Sequence, residues 1–171
     1  MGIVESLAAV FSPWQSLYSD SLALSTTVTT VHIVSLLLSG GLAIAADRAT
    51  LRALRRPVEE RALPLAELGS VHRPVVITLT VLMVSGLLLF AADVETFAVS
   101  WLFWVKMGLI VLLLANGAAL YRTERRLGAD LEDEDPDVPA RLWSRLGRSA
   151  RASLGLWLLV AVLGTVLTNV G

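Results

Sequence analysis

The chain has 171 residues, a mean hydropathy of +0.69 and only 17% charged residues. A soluble domain carries roughly a quarter, and a particle this small has too much surface to cover with so few charges. This excludes an ordinary water-soluble domain, a disordered chain and a nucleic-acid binder. The net charge of -1 gives no field to draw anionic partners, and the absence of cysteine removes disulfides, thiolate metal sites and cysteine nucleophiles.

In chain order, Ile3, Val4, Leu7, Ala8, Val10 and Phe11 come first at helical spacing, followed by Trp14 and Tyr18. The segment has no basic leader of the secretory kind. It predicts a short helix over 2–11, within an amphipathic segment 1–20 on the outer face of a membrane, its aromatics at headgroup level. Four apolar runs follow, at about 21–46, 74–92, 98–121 and 152–170, the third interrupted by Lys106 alone. About 20 apolar residues let a helix cross a bilayer. Continuous runs without alternation point to helices and not to a barrel. The expected fold is all-α: an integral membrane four-helix bundle over 21–171 behind a short interfacial helix.

The connecting segments 47–73 and 122–151 contain 13 of the 14 basic residues. Positive loops stay in the cytoplasm. The expected location is therefore a bacterial inner membrane, with both termini periplasmic or exterior. Pro57 and Pro64 limit any extension of the first span into its loop. The second loop carries six acids between Asp130 and Asp137, a pattern of solvated surface. Arg141, Arg145 and Arg148 then form a basic helical face suited to anionic lipid.

Polar groups are expensive in hydrocarbon, so those inside the spans carry the functional information. Ser25, Thr29, His32, Ser35 and Ser39 are spaced 4, 3, 3 and 4, placing all five on one face of the first span, turned into the bundle. Small hydroxyl residues favour close helix packing. His32 is open to three readings, a structural hydrogen bond, a ligand for haem or a metal such as copper, or a proton relay. Met83 is about level with it and is the candidate second ligand. His72 lies roughly 12–18 Å away in depth, by the rise of a helix, and is expected in an inner-surface cluster with Asp47, Arg48 and Arg73. Lys106 either snorkels toward Asp93 and Glu95 or meets an anion such as a haem propionate or quinone head group. Asn116 reads as an interhelical hydrogen bond, with Asn169 a second of the same kind. No catalytic constellation is present: no Walker loop, dinucleotide fingerprint, H-E-x-x-H or G-x-S-x-G.

The order of motifs is E-S-L, V-H-I-V-S-L-L-L-S-G-G, D-R-A-T-L-R-A-L, S-G-L-L-L-F and F-W-V-K-M-G-L-I-V-L-L-L-A-N. Over roughly residues 5–121 this resembles a bacterial family of small four-helix inner-membrane proteins of unknown function. It is also similar, more distantly, to the copper-resistance D (CopD) type membrane domain. The matched positions are His32, Asp47, Arg48, Gly86, Lys106 and Asn116. The CopD-type resemblance implies copper handling or a haem-bearing membrane redox role. The chain departs from cytochrome-b-type four-helix relatives, which present paired histidines at matching levels.

Three functions are thus expected, in this order. The first is a non-enzymatic membrane protein, an accessory or structural subunit whose partners are the lipid bilayer and other membrane subunits or copies of itself. The second is a haem b or copper protein using His32 with Met83 and Lys106. The third is a small-molecule carrier along the Ser25–Ser39 stripe.

Overall fold

The computed structural model describes residues 2–57, 60–129 and 137–170, which form six helices and, among the described residues, no strand. The acidic run 130–136 lies outside them. The helices are α1 (Ile3–Asp20), α2 (Leu22–Ala53), α3 (Ala62–Ala92), α4 (Val94–Val99), α5 (Trp101–Ala129) and α6 (Asp137–Val170). Four stretches, Leu22–Ala53, Val71–Ala92, Trp101–Leu127 and Ala140–Leu167, are long and apolar enough to cross a membrane. The expected all-α bundle with four long apolar helices is therefore present.

The segments read from sequence as loops are mostly helix. α2 runs through the basic stretch to Ala53, α3 begins at Ala62, and α5 and α6 extend to Ala129 and from Asp137. Arginine and leucine are good helix formers, and α2 has 32 residues, about 48 Å at 1.5 Å each. That exceeds a hydrocarbon core of about 30 Å, so the basic turns project beyond the apolar layer. Arg61, in the short α2–α3 connection, donates to the carbonyls of Leu54 (3.0 Å) and Arg56 (2.9 Å) at the end of α2. Its guanidinium also lies 5.3 Å from the Trp143 ring centroid.

α1 is longer than the expected 2–11 helix, and it passes through Pro13. Proline lacks the N–H that would bond Ala9. The Ser12 hydroxyl donates to that carbonyl instead, at 3.0 Å. Ala8 is buried on the inward face, while Ile3, Val10 and Leu17 point outward. α1 packs on α3, α4 and α2, tied by Trp14 Nε1, which donates to the Leu88 carbonyl at 2.9 Å.

The long helices form two hairpins, α2–α3 and α5–α6, joined along a seam between α2 and α6. In the most apolar windows of α2 and α6, 22% and 28% of residues are buried, against 11% and 6% in α3 and α5. The seam is thus the interior, and the flanking helices leave apolar side chains uncovered, as a lipid environment permits. Gly40 lets Trp157 close on the seam: a Cβ there would meet the indole at 3.4 Å. Near the arginine-rich end, Leu127, Trp143 and Leu146 form a buried cluster with Leu54, Leu120 and Leu142.

Candidate functional site

Two polar centres lie among the long helices, one toward each end. The first is built on His32 of α2. Its Nδ1 is 3.0 Å from Ser85 Oγ of α3. The next residue, Gly86, makes room for the ring: a Cβ there would stand 3.2 Å from His32 Cε1. The Ser85 hydroxyl is 2.8 Å from the Val81 carbonyl and 3.0 Å from that of Leu82. Donating its one hydrogen to its own helix, it accepts from the imidazole. Nδ1 then carries the ring proton and Nε2 the lone pair. Lys106 of α5 lies within electrostatic range of this ring, with its Nζ 3.6 Å from where a Cβ on Gly164 of α6 would be. Four helices therefore converge on this level.

The polar contact shown at this level joins the His32 imidazole to the Ser85 hydroxyl. Met83 precedes Ser85 by two residues, about 200° around the helix, and Gly86 by three, about 60°, so it lies on the side of α3 that Gly86 turns to His32. His72 is 13 residues along α3 from Ser85, about 20 Å at the helical rise. His72 is therefore far from His32 along the helix axis. Among the described residues, no group of three or more His, Cys, Asp or Glu could hold a metal. A surface groove of about 310 Å³ is lined by Asn116, Arg145, Arg148, Ser149 and Ala152. Another, of about 290 Å³, is lined by Ser25, Thr26, Thr29 and Thr30. Neither is lined by His32 or Lys106.

The rest of the polar face of α2 is occupied locally. Ser39 Oγ donates to the Ser35 carbonyl at 2.7 Å, with both serines buried. Ser25 donates to the Ser21 carbonyl at 3.2 Å. Thr29 pairs with the Tyr18 hydroxyl at 3.2 Å, which joins α2 to α1. In α5, Asn116 Nδ2 donates to the Ser149 carbonyl of α6 at 2.9 Å. Asp93 caps α4 by accepting from Thr96 N at 3.2 Å.

The second centre lies at the arginine-rich end and differs from the expected cluster. Asp47 of α2 is only 4% exposed. Its carboxyl meets the Ser153 hydroxyl of α6, while Oδ2 is sealed without a hydrogen-bond partner. Glu124 of α5 lies within electrostatic range of Asp47. Its Oε2 is 3.9 Å from His72 Nδ1, and the two side chains are 12% and 34% exposed. The His72 ring packs on Tyr121, centroid to centroid 4.3 Å. Arg48 and Arg73, expected as partners of Asp47 and His72, are exposed instead, because each is one residue, about 100°, around its helix from the inward position.

Sequence reasoning missed Glu124 and Ser153. Glu124 fell in a segment read as loop. Had α5 been continued through it, Leu113, Asn116, Leu120, Glu124 and Leu127 recur at spacings 3, 4, 4 and 3, putting a carboxylate on the inward stripe.

Compared with known proteins, the chain matches no family model, no curated protein and no solved structure.

Proposed function

We propose that this chain is a non-enzymatic integral membrane protein of a bacterial inner membrane, an accessory subunit working beside other membrane subunits or further copies of itself. The observation that carries this reading is the His32 centre. It is a helix-packing joint, in which the imidazole bonds Ser85 and fills the space left by Gly86. The exposed face of α2 adds support. It carries Leu37, Leu38, Gly41 and Ala45, and a Cβ on Gly41 would meet nothing within 4 Å. Small residues on a lipid-facing surface allow another helix to come close. The arginines gathered at one end support an orientation with that end in the cytoplasm and α1 on the opposite surface.

The test is an absorption spectrum, a metal analysis and a native mass on protein purified gently from cells supplied with haem and copper. The expected result is a colourless, metal-free protein recovered in an assembly larger than one chain. Stoichiometric haem or copper, lost in His32→Ala, would overturn this reading in favour of a haem or copper protein. For orientation, the natural absence of cysteine makes Arg55→Cys a unique label site. Labelling from outside intact cells would reverse the topology.

A further inference from the structure

The arginine-rich end holds a centre that helix packing does not explain. Asp47, His72, Glu124 and Ser153 come one from each of the four long helices. Asp47 is more than nine-tenths buried, and one of its carboxyl oxygens has no partner. An ionised carboxylate in that state loses its hydration with only the Ser153 hydroxyl to replace it, which costs several kcal/mol. A second carboxylate, Glu124, stands within electrostatic range. The groups that face the pair can be named helix by helix. α3 presents His72, α6 presents Ser153, and α5 presents Glu124 itself with Tyr121 beside the histidine. The neighbouring Arg48, Arg73, Arg122 and Arg151 are exposed. Two carboxylates within electrostatic range of each other, one 3.9 Å from a histidine and the other sealed in the bundle, are not both ionised cheaply, and the least costly remedy is for the pair to hold one proton.

We propose that Asp47 and Glu124 form a proton-binding site that holds one proton between them and exchanges it with solvent through His72. The geometry supplies the route. His72 is partly exposed, and its Nδ1 is 3.9 Å from Glu124 Oε2. A proton taken from water by the imidazole passes to the Glu124 carboxylate. The pair then carries one proton and one negative charge, and the imidazole returns to neutral. Asp47, deeper and beside Ser153, is the inner member. The site depends on neither a cofactor at His32 nor the choice between subunit and cofactor protein. Its ligand is the proton, not a metal ion.

The test is infrared spectroscopy of the full chain in lipid vesicles, following the carbonyl band of protonated carboxylic acid during a pH titration in sodium-free buffer. The wild type is expected to show this band at neutral pH. Either Asp47→Asn or Glu124→Gln relieves the mutual repulsion, so the titration midpoint falls by about one pH unit or more, a tenfold change in proton affinity. In His72→Gln the band remains, and its exchange into heavy water slows at least tenfold. Absence of the band from the wild type at neutral pH overturns the site, as does a midpoint that neither neutral variant moves. A band abolished by sodium at constant pH overturns it in favour of a cation site. Exchange unchanged in His72→Gln overturns the route. Should one carboxylate variant fail to fold, the wild-type band and the other variant still decide.

Discussion

The two polar centres sit on the same four helices and handle polarity in opposite ways. At the His32 level, the Ser85 hydroxyl bonds its own backbone and accepts from the imidazole, while Gly86 gives the ring its space. At the Asp47 level, a carboxyl oxygen is buried without a partner beside a second carboxylate. A satisfied polar joint holds helices together. An unsatisfied one is tolerated at a cost to stability. The contrast separates a residue kept for packing from residues whose arrangement packing alone does not require.

The largest expected effect lies in the apolar cluster beneath the second centre. Trp143 is 4% exposed and packs with Leu127 and Leu146. Trp143→Ala is expected to lower stability by about 3–5 kcal/mol, read by reversible unfolding in mixed detergent with helicity as the signal. A loss under 1 kcal/mol would mean that this end is not rigidly packed, and the contrast between centres would lose its frame. The next effect sharpens the contrast directly. Ser85→Ala deprives the half-buried imidazole of its side-chain acceptor, leaving the Leu82 carbonyl, and is expected to destabilise by about 1 kcal/mol. In a His32→Ala background the same substitution should cost clearly less, because residues in contact are coupled. Equal costs in both backgrounds would show that the joint does not exist. The smallest effect has the opposite sign. Asp47→Ala removes the carboxyl whose Oδ2 has no partner, and stability is expected to stay level or rise by up to about 1 kcal/mol. A loss of 2 kcal/mol or more would place Asp47 among the packing residues and erase the distinction.

Much of the architecture was readable in the sequence, for a plain reason. Apolar runs such as Pro74–Ala92 and the gathering of arginines between them are one-dimensional consequences of a lipid solvent. The site was less readable. Arg48 and Arg73 look like natural partners for Asp47 and His72 when adjacency is the only guide. A helix, however, turns about 100° between neighbours, and here that rotation carries both guanidinium groups outward. Glu124 was hidden because Arg122, Arg125 and Arg126 around it resemble a loop, whereas α5 continues to Ala129. Met83 has the right depth for a partner of His32, and depth was all that residue counting could supply.

The seam between α2 and α6 has a consequence for the order in which the protein is made. Translation delivers α2 and α3 early, and that hairpin can form at once. Ser153, which lies against Asp47, and Trp157, which covers Gly40, arrive only with α6. Until then Asp47 lacks the hydroxyl that bonds it, so the acid gains that partner only when the nascent chain closes its second hairpin.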